Sequence, residues 1–190
     1  MLQQYGLIRP VLQQLRETQP LVTMLQFFCD GPTTQYRNKD NFYFLSTETH
    51  ALGFDAATWN FFESGHGKGA PDAIGGALKR TAECMLNAGC DMQDANKLYN
   101  VLCKESCVQI AYVSSEQVEA MDLLLPAILK PIPGTMKLHQ LHTEDYVSLS
   151  YRNLSCLCTR PTPCSRYNAA NKVFVRDHCQ HPEPSELIVS

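Results

Sequence analysis

Apolar positions along the chain fall into blocks whose spacing switches between helical and strand-like. In QQYGLIRPVLQQLR, residues 3–16, Leu7, Val11, Leu12 and Leu15 recur at roughly a helical period, interrupted by Pro10. Pro20 then separates off LVTMLQFFC, a continuous apolar run that suits a strand buried on both faces of a parallel sheet. The run ends at Cys29-Asp30-Gly31-Pro32, where glycine and proline enforce a turn and leave Asp30 at the strand's carboxyl end. TTQYRNKDNFYFLSTETHALG reads as a polar loop followed by a helix capped near Asp40 and ended by Gly53. TWNFFE, residues 58–63, is a second strand, with Trp59, Phe61 and Phe62 as core, and it runs into ESGHGKGAPDAIGGALKR.

Pro71 fits the first turn of the next helix, where a missing N–H costs nothing. Ile74, Leu78, Ala82 and Met85 or Leu86 form its apolar stripe, and Gly89 ends it. DANKLYNVLC is a further helix with Asp91 and Asp94 as start signals. Helix, strand, helix, strand, helix is the order of a parallel α/β sheet. From residue 107 the style changes. CVQIAYV predicts a strand, and SSEQVEAMDLLLPAIL a helix with a Ser114/Gln117 capping box. KPIPG reads as a linker, and TMKLHQL and YVSLSYR pair as a hairpin across HTED. The expected division is a core over 1–106, a small α+β appendage over 107–152, and a Cys/Pro-rich, partly disordered tail over 153–190.

Composition narrows the functions open to such a chain. Its 190 residues, 44% hydrophobic and 18% charged, suit one sizeable core. A net charge of −3 excludes nucleic-acid binding through bulk charge, so any such binding needs a local basic patch. No basic stretch followed by an apolar run opens the sequence, and no apolar stretch has the length of a membrane span. The expectation is a nuclear or cytoplasmic protein, neither secreted nor membrane-bound. Its nine cysteines then read as reduced thiols or metal ligands.

The glycine stretch admits three readings. A phosphate-binding Walker loop fails, because Gly67-Lys68 is followed by Gly69 rather than Ser or Thr. Gly65, Gly67 and Ala70 match a dinucleotide fingerprint only loosely. A flexible turn before a helix is the simplest account, with Asp72 as an acid favoured at a helix start. Asp30 changes the weighing. It ends one buried strand, and Asp72 opens the helix after the next, so neighbouring strands would bring both carboxylates to one sheet edge. Carboxylates so placed can hold Mg²⁺ for in-line attack on phosphate.

At this point a family resemblance enters. CDGPTTQYRNKDNF resembles the second-acid segment of retroviral-integrase-like and transposase cores, and HGKGAPDAIGGALKR resembles their third-acid segment. TMKLHQL…YRNLSCLC is similar to the C-terminal part of mobile-element proteins of animal genomes. The resemblance covers residues 1–164 and implies a transposase-derived protein of the DDE/D class with an RNase H-like fold. It implies Asp30 and Asp72 as catalytic acids binding Mg²⁺ (or Mn²⁺), and DNA as partner. Gln35, Arg37, Lys39, His66, Lys68, Lys79 and Arg80 become candidate phosphate contacts, against the plainer reading of solvated surface charge.

The family's core opens with three strands, the first carrying the first acid. Ahead of the strand ending at Asp30 stands only Glu17, within a predicted helix. The resemblance therefore implies a partial core with two of three acids, incompetent alone, whose strand at Asp30 becomes an exposed apolar edge. Such an edge invites self-association or a partner supplying the missing strands.

Cys156-x-Cys158-x5-Cys164 is the densest thiol cluster, and Cys179 beside His178 and His181 could complete a Zn²⁺ site. Reduced thiols in a loose tail are the competing account. The alternative function is a non-catalytic protein- or nucleic-acid-binding module with a C-terminal zinc site. No G-x-S-x-G or assignable triad marks an acyl-transfer enzyme.

Overall fold

The computed structural model describes residues 4–30, 36–62, 69–126, 128–132, 134–143, 145–146, 148–158 and 171–174. They form a mixed α/β structure, with five α-helices and one mixed sheet of five strands among the described residues. In chain order the elements are α1 (Gln4–Thr18), β1 (Met24–Asp30), α2 (Lys39–Ala51), β2 (Ala56–Phe62), α3 (Ala70–Asn87), α4 (Ala95–Glu105), α5 (Ser115–Leu123), β3 (Gln140–Thr143), β4 (Ser148–Arg152) and β5 (Asn171–Phe174). A short 3-10 turn, Thr135–Lys137, leads into β3.

The strands lie in the order β1-β2-β3-β4-β5, so β1 is an edge. β1 and β2 are parallel in unbroken register from Met24↔Ala56 to Asp30↔Phe62. β2–β3, β3–β4 and β4–β5 are antiparallel. The hairpin that the sequence assigns to a separate appendage thus continues the sheet directly from β2. CVQIAYV forms no strand, and its residues run as irregular chain between α4 and α5. β5 pairs with β4 inside the segment expected to be a tail, and Cys156 is buried.

Period-two alternation divides the sheet into two faces. One carries Leu25, Phe27 and Cys29 of β1, Ala57, Trp59 and Phe61 of β2, and Leu141 of β3. This face packs into the core with Leu12 of α1, Phe42, Tyr43, Phe44 and Leu45 of α2, and Met121 of α5. Leu129, Ile132 and Leu138 join it, so the stretch around the KPIPG linker is fastened to the core at Ile132. The opposite face carries Thr58, Asn60, Gln140, His142 and Arg152, polar yet buried.

α2 is the central helix, with Asn41 to Thr49 buried in succession. The side chain of Asn38 caps its first turn at the Asn41 amide, and Gly53 follows its end at a φ of 83°, in the left-handed region that favours glycine. Polar groups on so enclosed a helix must find partners. Ser46 and Thr47 donate to the Tyr43 carbonyl at 2.8 and 2.9 Å, and Glu48 faces Arg9 of α1. α3 is the opposite case. It is a regular 18-residue helix with no buried residue, its stripe leaving Ile74 and Leu86 exposed, and it packs on α4.

Candidate functional site

The parallel pairing of β1 and β2 brings two carboxyl ends together. Asp30 is the last residue of β1 and lies opposite Phe62, the last of β2. Open parallel sheets place ligands outside the carboxyl ends of their strands. The chain leaving Phe62 next enters a described element at Gly69, the extended N-cap of α3. Pro71 occupies the first turn as its fixed φ favours, and Asp72 follows it there, exposed, where the helix dipole favours an acid. One acid thus closes the first strand of the pair, and the other opens the helix that follows the second.

The Asp30 side chain lies outside the described atoms, as do Gln35, His66, Lys68, Cys164 and Cys179. Lys79 and Arg80 are exposed midway along α3, and Lys39 is exposed at the first residue of α2. At Gly76 an added Cβ would meet Arg80 Nη1 at 3.3 Å, whereas at Gly75 it would meet nothing within 4 Å. The described packing therefore does not require that paired glycine.

Arg37 has a different occupation from the phosphate contact the sequence suggests. Its Nη1 donates to the Thr135 and Met136 carbonyls, both at 3.0 Å, and its guanidinium lies 4.7 Å from the Phe61 ring centroid. It braces the 3-10 turn against β2.

Among the described residues, no group of three His, Cys, Asp or Glu side chains gathers as a metal site. The described ligands alone therefore do not assemble a magnesium or zinc centre. Cys156 is 3% exposed, and its backbone is held at both polar atoms by Gln140. The C-x-C pair thus starts from a position, just beyond β4, that Gln140 holds in place.

Gln140 is the centre of a buried polar network that the sequence does not reveal. Its Nε2 donates to Asn60 Oδ1 at 2.8 Å and to the Cys156 carbonyl at 2.7 Å. Its Oε1 accepts from the Cys156 amide and from Arg152 Nη1, each at 3.3 Å. Asn60 in turn donates to the Phe27 carbonyl at 3.1 Å, so the network joins β1, β2, β3, β4 and the chain beyond β4. The only signal in the sequence is polar residues at alternate strand positions, which ordinarily marks a solvated face.

Two titratable groups are perturbed on α2. Burial raises the Glu48 carboxyl above its ordinary value, partly opposed by the Arg9 charge. Burial lowers the His50 imidazole, opposed by its bond to the Phe54 carbonyl and by Asp145 and Asp55. His50 Nδ1 donates to that carbonyl at 3.1 Å, Nε2 lies 3.4 Å from Thr143 Oγ1, and the ring sits 5.0 Å from Tyr146. The arrangement has the outline of a hydroxyl, an imidazole and an orienting group. Thr143, however, is 1% exposed and donates to the Asp145 carbonyl, so the cluster fastens α2 to the β3–β4 turn and offers no nucleophile.

No helix among the described residues is long and apolar enough to cross a membrane. No curated protein and no solved structure matches the chain. A family model spanning residues 4–155 does match it, from α1 through the Gln140 network, and by that match the chain belongs to the family described as "Domain of unknown function (DUF8701)".

Proposed function

We propose that this chain is a transposase-derived, DNA-associated protein of nucleus or cytoplasm. Its sheet is a partial RNase H-like core, and Asp30 and Asp72 are the two surviving metal-binding acids. The observation that carries this reading is the register of β1 and β2, which sets Asp30 at the carboxyl end of a parallel pair whose chain continues into the helix bearing Asp72. Lys79 and Arg80, exposed on that same helix, are the basic groups best placed along the chain to meet phosphate, with Lys39 as a further exposed cation. Asp30 and Asp72 would be the residues to hold Mg²⁺ or Mn²⁺, whose positive charge would favour phosphate nearby. Two acids make a poor clamp, so the chain associates with DNA without cleaving it unaided.

The test is duplex DNA binding, measured by fluorescence anisotropy across a salt series with and without Mg²⁺. Wild type should bind more tightly with Mg²⁺. Asp30→Ala and Asp72→Ala should each lose that increment. Lys79→Ala with Arg80→Ala should weaken binding at every sequence and reduce the salt slope by about 1–2. Absence of binding at low salt, or an Mg²⁺ increment untouched by either aspartate change, removes the proposal. Cleavage that vanishes in Asp72→Ala would keep the site but overturn its incompetence.

The second reading, a non-catalytic binding module with a C-terminal zinc site, draws support from the anchored position of Cys156. In that case purified protein contains stoichiometric zinc, and Cys156→Ser with Cys158→Ser loses it. Metal-free protein that is fully folded would count against this reading.

A further inference from the structure

The sequence reads Trp59, Phe61 and Phe62 alike as strand core, and Phe62 is not. It is 41% exposed and stacks on Phe28 of β1, itself 44% exposed, with ring centroids 5.8 Å apart and planes 21° from parallel. Both rings lie on the sheet face turned away from the apolar core, since alternation gives that core Phe27, Cys29 and Phe61. Polar positions bound the pair. Gln26, on the same face of β1, is exposed. Asn60, the register partner of Phe28, is 2% exposed and donates to the Phe27 carbonyl. Asp30 is the register partner of Phe62.

The apolar patch is therefore confined to two rings, on the order of 150–200 Å² of exposed surface. A stable protein–protein interface takes roughly 800 Å² from each partner, so this patch is too small for one. Stacking needs only one planar ring laid on another. Charge favours the same occupant. At a net charge of −3 the chain gains little from phosphate attraction, so its hold on a nucleic acid depends on contacts that salt does not screen. Stacking of a base on a phenyl ring is such a contact. It is open to unpaired bases, whereas bases inside a duplex are already covered by their neighbours.

We infer that Phe28 and Phe62 form a stacking platform for unpaired nucleobases, and that the DNA this chain takes is single-stranded or carries a single-stranded end. The inference rests on the DNA reading above and names the substrate class of that same site. The register of Phe62 with Asp30 sets the platform at the carboxyl end of the β1–β2 pair, where that reading places an acid. Phosphate contact then supplies the salt-dependent share of binding, and the rings supply the salt-independent share.

Fluorescence anisotropy with two labelled duplexes tests it, one with a short single-stranded overhang and one with an abasic overhang of equal length. The probes carry equal charge and differ only in the bases. The full chain is expected to bind the base-bearing probe about tenfold more tightly, a ratio that holds as salt rises while both affinities fall. Phe28→Leu with Phe62→Leu should abolish the ratio and leave abasic binding unchanged. Phe28→Tyr with Phe62→Tyr, which keeps both rings, should preserve it. Equal binding of the two probes by wild type overturns the platform alone, and so does a ratio that survives the leucine changes. Binding of neither probe overturns the platform together with the DNA reading. A leucine double variant that unfolds is replaced by Phe62→Leu alone, for which loss of the ratio supports the platform and its retention opposes it.

Discussion

Arg9→Ala is expected to cost about 3–5 kcal/mol of folding stability, the range for removing one partner of a buried ion pair. Arg9 Nε stands 2.9 Å from Glu48 Oε2, and the Glu48 side chain is 1% exposed. The approach does not meet hydrogen-bond geometry at either atom, so the contact is mainly Coulombic. The 21% exposure of the Arg9 side chain lets some water screen the pair, which favours the lower end of that range.

The cost should also depend on pH, with a definite sign. Glu48 titrates above 4.5 in the folded protein, chiefly because it is desolvated. A carboxyl raised in the folded state binds protons there more readily than in the unfolded chain. Its contribution to stability therefore falls as pH rises from 4.5 through the folded value. Removing Arg9 takes away the charge that favours the ionised carboxylate and widens this window. Urea unfolding at pH 5 and pH 8 should show a larger loss at pH 8, with Arg9→Met/Glu48→Gln recovering most of it. A loss independent of pH would mean that Arg9 contributes through its packing on α5, where Nη1 lies 3.4 Å from Met121 Sδ, rather than through charge.

Gln140→Leu is expected to be of similar size. The change keeps the volume roughly and deletes four hydrogen bonds in a fully buried position. It strands Asn60 Oδ1 and the Cys156 carbonyl, and each such group costs about 1–3 kcal/mol, so a loss on the order of 3 kcal/mol follows. Gln140→Glu is the sharper control. It retains an oxygen for the Cys156 amide and Arg152 but presents a second oxygen to two acceptors. It should be destabilising despite being isosteric. A Glu variant as stable as wild type would show that charge pairing with Arg152 offsets the lost amide donors. The circular dichroism midpoint and exchange of the Cys156 amide read both outcomes.

Much of the fold is written in local signals. The Ser114/Gln117 box is formed as its sequence implies, Asp94 caps α4, and Gly89 ends α3 at a φ of 87°. Both core strands lie within three residues of their apolar runs. The hairpin forms, though Thr135–Lys137 of its expected first strand is a 3-10 turn and that strand runs instead over Gln140–Thr143, into the expected loop. What local pattern cannot show is what lies across from a residue. CVQIAYV has strand composition, but no neighbouring strand offers it a ladder, and composition alone does not make a sheet. α3 carries a genuine apolar stripe that α4 covers only in part, leaving Ile74 and Leu86 exposed. Asn60, Gln140 and Arg152 look like a solvated face until the chain around Cys156 closes over them.

The site is less legible for a similar reason. Parallel register at Asp30 could be anticipated from two adjacent buried strands and an intervening helix. The employment of Arg37 could not, because its carbonyl partners lie about a hundred residues away in sequence. Arginine in a polar loop looks the same whether it meets a phosphate or a backbone.

The strand neighbours β2 and β3 are far apart along the chain, for Phe62 ends one and Gln140 begins the other. All of α3, α4 and α5 is an excursion between two hydrogen-bonded partners, and the α3–α4 hairpin contributes no α3 residue to the buried core. The chain is thus topologically divisible. A break between Gly89 and Asp94 would leave β1 and β2 on one fragment and β3 to β5 on the other, joined by the β2–β3 ladder and the helices α1, α2 and α5. The exposed hairpin is the natural place for the sequence to be lengthened, exchanged or split while the sheet keeps its shape.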